Sequence, residues 1–219
     1  MSKPIFYTLD MSPCCRSVYL TSAAIGVDFE IREIDIFKSE HLSEDFVKIN
    51  PARTIPTLDD NGFILADSHA IMCYLVSKYA KDDSLYPKDI HRRAKVDQFL
   101  YFDASELFPP LKRACKPIVM KRTTSVPDDQ LEAMKTPCVY LDEYLDGKVF
   151  LTGDSYTIAD IACFNTITCI IPFVSMEELP NIVAWMERCE EQFPEYEKFG
   201  APGCNQLQEL IRQQLSTST

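Results

Sequence analysis

Ser12, followed by Pro13, stands between a short apolar run and a stretch of helical periodicity, and its hydroxyl is placed to do chemistry. At such a junction the unpaired amide N–H groups and the helix dipole favour a negative charge close by, and a thiolate would be stabilised there. The same serine also reads as a plain helix cap. Asn50-Pro51-Ala52-Arg53-Thr54-Ile55-Pro56-Thr57-Leu58 is the second candidate, with Ile-Pro just ahead of a strand. With a cis bond there, the N–H and C=O of Ile55 would meet a peptide ligand as an added strand does; an ordinary proline turn is the alternative. Asp67-Ser68-His69-Ala70-Ile71 opens a helix. Its Ser68 N–H and hydroxyl suit a carboxylate and Asp67 suits an ammonium, the two charges of a free α-amino acid group, while Asp67 as a simple N-cap competes with that reading. Cys14 and Cys15 lie just past Ser12, where a thiol pKa can fall, but no second thiol follows at Cys-x-x-Cys spacing.

These groups act together only if a scaffold gathers them. Residues 5–9 read as a strand, 14–24 as a helix closed by Gly26, 29–36 as a strand and 42–49 as a short helix. Asp60-Asn61-Gly62, between Thr57-Leu58 and Phe63-Ile64-Leu65, is a hairpin turn, because Asn-Gly accepts positive φ angles. A helix over 68–79 then puts Ile71, Met72, Leu75, Val76 and Tyr79 on one face. This order predicts an α/β thioredoxin-like domain over 1–80, a polar linker over 81–90, and an all-α helical domain over 91–219. In the helical part Leu131, Met134, Cys138, Leu141 and Leu145 form one stripe, with Pro137 expected to kink it. Pro109, Pro110 and Pro117 are expected to bend the helical stretch that begins near His91. The apolar tract 161–174, interrupted by Asn165, Thr166, Thr168 and Pro172, is too short to span a bilayer and reads as a buried core helix.

The net charge of −11, with no block of Lys or Arg, argues against nucleic acid and anionic lipid as partners. The opening residues Met1-Ser2-Lys3-Pro4 give no signal-peptide pattern, and the nine cysteines are an odd, scattered set without zinc-site spacing. A reduced, cytoplasmic setting without a metal is the expectation.

Taken in order, Tyr7-Thr8-Leu9-x-x-Ser12-Pro13, Asn50-Pro51-x-x-Thr54-Ile55-Pro56-Thr57-Leu58 and Asp67-Ser68-x-Ala70-Ile71 resemble the cytosolic glutathione S-transferases. Lys81-Asp82-Asp83-Ser84-Leu85-Tyr86-Pro87 and His41 are similar to the insect delta/epsilon group, most like epsilon. The resemblance is close over the first 90 residues and looser beyond, where Gly153-Asp154-x-x-Thr157-Ile158-Ala159-Asp160 is similar to the family's folding motif, with Thr157 and Asp160 set as a capping box. It implies that Ser12 activates the thiol of glutathione, the cosubstrate, and that His41, Arg53, Thr54, Ile55, Pro56, Asp67, Ser68 and His69 bind it. Arg53 departs from the histidine common in this group, but its guanidinium suits the glycyl carboxylate. The resemblance places the hydrophobic-substrate site at Phe108, Leu111, Lys112, Cys115, Lys116 and Val119, made more polar by its two lysines. It further implies a homodimer that conjugates glutathione to hydrophobic electrophiles in detoxification, with peroxidase or dehydrochlorinase activity alongside. A thiol reductase working through Cys14 or Cys15, and a non-catalytic carrier of hydrophobic ligands, are the rival readings.

Overall fold

A computed structural model describes residues 2–217. Four strands, β1 (Ile5–Thr8), β2 (Glu30–Glu33), β3 (Thr57–Asp60) and β4 (Phe63–Ala66), form one mixed sheet in the order β2-β1-β3-β4. β1 runs parallel to β2 and antiparallel to β3, which pairs antiparallel with β4. The parallel pair needs a crossover, supplied by α1 (Pro13–Ile25). Gly26 ends α1 at φ 71°, where a Cβ would be strained, and Val27 N–H returns to Ser22 O at 2.9 Å. The β3–β4 hairpin turns on Asn61 and Gly62 at φ 56° and 92°, as the Asn-Gly pair predicts. β2 is shorter than the predicted 29–36, because Asp35 folds back on itself and its carboxylate accepts from Phe37 and Lys38 N–H at 2.9 and 3.1 Å.

A 3₁₀ turn (Glu40–Leu42) leads into α2 (Glu44–Ile49), and α3 (Ser68–Tyr79) covers the sheet with Ile71, Met72, Leu75 and Val76 buried. Tyr79 sits at the edge of that face, where its hydroxyl donates to Asp60. Among the described residues seven α-helices follow: α4 (Ile90–Phe102), α5 (Phe108–Val119), α6 (Asp128–Leu145), α7 (Ile158–Ile170), α8 (Pro180–Gln192), α9 (Tyr196–Phe199) and α10 (Ala201–Ser216). This is a small mixed-sheet domain followed by a helical domain, in agreement with the predicted fold class.

Pro109 and Pro110, where a bend is expected, are preceded by a change of helix type one turn earlier. These prolines cannot donate to the carbonyls of Ser105 and Glu106, and the chain widens into a π-helical turn, Asp103–Leu107, closed by Phe108 N–H on Asp103 O. Pro117 lies inside α5, and Pro137 inside α6, which continues unbroken to Leu145. Every residue of α7 is buried, so it carries an apolar surface all round instead of a stripe. It begins earlier than the predicted tract, at a Thr157–Asp160 capping box. The Asp160 carboxylate also accepts from Leu151 N–H at 2.9 Å and Trp185 Nε1 at 3.0 Å, tying α7 to the preceding loop and to α8. α7 packs on α1, α4 and α5, and one continuous apolar cluster runs from Phe6 and Leu58 in the sheet through α1 and α3 into α7. Among the described residues no helix is long and apolar enough to cross a membrane.

Candidate functional site

Strand register gathers the three candidate segments. Thr57 pairs with Tyr7 on one side and Ala66 on the other, so one row of the sheet carries all three residues. From that row the chain leaves β1 toward Ser12, enters β3 from Ile55 and Pro56, and leaves β4 into Asp67 and Ser68. They therefore meet at one end of the sheet.

Ser12 is the N-cap of α1, so the capping reading is correct as far as it goes. Its Oγ accepts from Cys15 N–H at 3.4 Å, a long bond, and its own proton is not donated to any described residue. The hydroxyl thus stays available as a donor at the positive end of a helix dipole. Burial pushes the Cys14 and Cys15 thiols above their ordinary range, which disfavours either as a redox nucleophile.

Ile55–Pro56 is cis, and the Ile55 N–H and C=O form no hydrogen bond with the described residues. The loop that presents them is held by buried Asn50. Its Nδ2 donates to Thr54 O at 2.9 Å, Thr54 Oγ1 at 3.2 Å and Thr57 Oγ1 at 2.9 Å, and its Oδ1 accepts from Ala52 N–H at 3.0 Å. Arg53 is exposed at φ 57°, without an ion pair among the described residues, and Thr54 beside it is exposed too. His41 keeps a buried Nδ1 that lacks a protein partner. Arg53 is therefore free to take a carboxylate.

Asp67, at φ 76°, caps α3 through Oδ1, which accepts from His69 and Ala70 N–H at 3.0 and 3.1 Å. The side chain remains mostly exposed, so its other oxygen can still meet an ammonium. Sequence reading did not find Asp103. From the π-helical turn its Oδ2 meets His69 Nε2 at 2.8 Å, and its buried Oδ1 has no partner among the described residues. Burial acts against the imidazolium, but the hydrogen bonds and charges of Asp103 and Asp67 outweigh it and raise the His69 pKa to about 9. Next to Ser68 there is thus a cation held between two carboxylates.

On α5, Phe108 and Cys115 are partly exposed, Lys112 and Lys116 are exposed, and Leu111 and Val119 are buried in the core. Lys112 Nζ lies 6.0 Å from the centre of the Phe108 ring. α5 follows the Asp103 turn directly, so this face and the end of the sheet are linked through that turn.

Comparisons with known proteins agree with this arrangement. Residues 11–78 match the model of the glutathione S-transferase N-terminal domain, and residues 94–192 that of the C-terminal domain. The chain is 38% identical over 214 residues to glutathione S-transferase 1 of Manduca sexta, across 96% of this chain and 98% of that protein. It is similar to the structure of an epsilon-class glutathione S-transferase from the housefly Musca domestica, with TM-score 0.92, 37% identity and coverage of 97% and 98% of the two chains. A glutathione transferase homologue from Drosophila mojavensis, solved with bound glutathione, gives TM-score 0.93 and 36% identity over 98% of each chain. Near full-length likeness at these identities, on a fold whose register gathers the same three segments, places the chain in the glutathione S-transferase family, alongside its insect delta and epsilon members.

Proposed function

We propose that the protein transfers glutathione to hydrophobic electrophiles, with Ser12 as the group that activates the thiol. The observation that carries this reading is the Ser12 hydroxyl, uncommitted as a donor and seated on the N-terminus of α1 at the end of the sheet where the other two segments meet. The Asp67 carboxylate would take the γ-glutamyl ammonium and Ser68 its carboxylate. Ile55 would pair with the peptide backbone beside Thr54 and Pro56, and Arg53 with His41 would hold the glycyl carboxylate. His69, fixed by Asp103, adds positive charge beside the γ-glutamyl carboxylate.

The Ser12 hydroxyl donates to the sulfur, and with the helix dipole it favours thiolate over thiol near neutral pH. The thiolate then attacks an electrophilic carbon, forming a C–S bond while a leaving group departs with its electron pair, or while a conjugated acceptor takes up the charge and then a proton. No step calls for a metal. Phe108, Lys112, Cys115 and Lys116 would shape the electrophile's site, backed by Leu111 and Val119 in the core, with the lysines favouring substrates that carry a polar or anionic group. The same thiolate would serve reduction of a peroxide or elimination of chloride. The protein acts in the cytoplasm as a homodimer, and exposed Phe63 and Ile64 on edge strand β4 offer apolar surface to a second copy; sedimentation at the mass of a single chain would count against that.

The test is turnover of glutathione with a chloronitroaromatic substrate across pH. Ser12→Ala should keep glutathione affinity within a few-fold and lose about 10²-fold in kcat, the usual cost of removing one donor to a reacting anion. Undiminished turnover of Ser12→Ala at neutral pH would remove Ser12 from this role.

A further inference from the structure

Arg16 is among the largest side chains buried to 0% exposure, and among the described residues no carboxylate bonds this cation. Its Nη1 donates to Met11 O at 2.8 Å. The remaining contacts are all on α7: Nε to Asn165 Oδ1 at 3.2 Å, and Nη2 to Thr168 Oγ1 and Cys169 Sγ at 3.2 Å each, with Asn165 O at 3.5 Å. The titratable groups that interact with it most are Cys169 on α7, Cys204 on α10, Tyr196 on α9 and Cys15 on α1 itself, thiols and a phenol rather than acids. The first turn of α1 holds no acidic residue either. A buried charge is ordinarily paired with its opposite, since desolvation is otherwise uncompensated. Here the acceptors are neutral dipoles, so the positive field is left to act on its surroundings.

Those surroundings are the catalytic turn. Met11 O belongs to the peptide that joins Met11 to Ser12, and Arg16 N–H bonds Ser12 O at 3.0 Å, so one residue grips Ser12 from both sides. The preceding residue is gripped as well: Gly203 of α10 lies so close to Asp10 that a Cβ there would stand 2.1 Å from the Asp10 carbonyl oxygen. We propose that Arg16 is a positioning residue for the transferase reaction, holding the Met11–Ser12 peptide against α7 and supplying an uncompensated positive charge beneath the thiolate that Ser12 stabilises. This rests on the glutathione reading given above. A purely structural bolt between α1 and α7 would need the hydrogen bonds but not the charge, and the two roles separate experimentally.

Asn165→Asp sets a carboxylate against Arg16 Nε, which keeps the contact and cancels the charge. The quantity to follow is the ultraviolet thiolate absorbance of glutathione bound to the intact protein, titrated with pH. The expected result is a titration displaced upward by about one pH unit, roughly tenfold less thiolate on the acidic limb. kcat should fall in step, with the glutathione KM held within about threefold. Circular dichroism verifies the fold, and Arg16→Lys is the second variant. It keeps the charge but lacks the planar fork whose separate nitrogens reach Met11 O and α7, so the thiolate titration should stay in place while kcat drops about tenfold. An unmoved titration in folded Asn165→Asp, or a displaced one in Arg16→Lys, overturns the proposal for Arg16 and leaves the transferase reading standing. Absence of any bound thiolate in the unmodified protein would overturn that reading as well.

Discussion

His69 and Asp103 lie on different domains, and their 2.8 Å contact ties α3 to the π-helical turn ahead of α5. The imidazole is only 16% exposed, and with its pKa raised to about 9 it is protonated throughout the neutral range. The ordinary value is about 6.5, so the folded state prefers the cation by roughly 3 kcal/mol, at about 1.4 kcal/mol per pH unit. The sign follows from the direction of the shift. Because the folded pKa is raised, this stabilisation is complete below the unfolded pKa of about 6.5 and is lost as pH rises through about 9. His69→Gln keeps a donor but not the charge. Thermal midpoints of both proteins should be measured from about pH 6 to 10, so that changes common to both cancel in the difference. The wild type should lead by the widest margin at the acidic end, and the gap should narrow by roughly 6–12 °C on passing through pH 9, given about 2–4 °C per kcal/mol for a chain of this size. A gap that stays level or widens over that range would mean that the pair carries no such charge preference. Since the pair sits beside Ser68, glutathione affinity should weaken over the same alkaline range, and more in the wild type than in His69→Gln.

Arg53→Ala should raise the glutathione KM roughly 5–30-fold, about 1–2 kcal/mol for an exposed charge pair with the glycyl carboxylate, with little change in kcat; steady-state kinetics that show the reverse split would contradict the assignment. Asn50→Ala removes the hydrogen bonds that hold residues 50–57, and should cost about 2–4 kcal/mol in urea unfolding together with a raised glutathione KM. A stable Asn50→Ala protein of normal affinity would show that the loop holds its shape without it. Gly203→Ala pushes a methyl against the backbone of Asp10, which cannot swing aside as a side chain can, so about 1–3 kcal/mol of stability should go along with part of kcat. Full activity with an unchanged thermal midpoint would remove the α10 contact as a support for Ser12.

What the sequence makes legible is local chemistry, and what it hides is pairing across the chain. The Asn-Gly turn, the Gly26 cap and the Thr157–Asp160 box each lie within a few residues of the groups they satisfy, so composition and spacing suffice to find them. Ser12, Ile55–Pro56 and Asp67–Ser68 are recognisable as motifs, but it is the strand register that sets them side by side. Asp103 is invisible by this route, being 34 residues from His69 in a turn whose widening is caused by prolines that read only as a bend. Arg16 is further removed, since its Asn165 partner lies 149 residues away. The other half of that pairing does leave a trace. In a tract destined for complete burial, Asn165 and Thr168 read at first as interruptions that argue against a membrane span. A helix buried on every face has no water to satisfy such side chains, so each needs a partner from another element. Asn165 and Thr168 are one turn apart on the same face, and although each also bonds within its own helix, together they present acceptors outward. The element packed on that face is α1, where the buried donor is Arg16. Polar residues inside an otherwise apolar core helix are thus a usable signal for a buried cation elsewhere in the chain. Here that signal leads to the residue that grips the Met11–Ser12 turn.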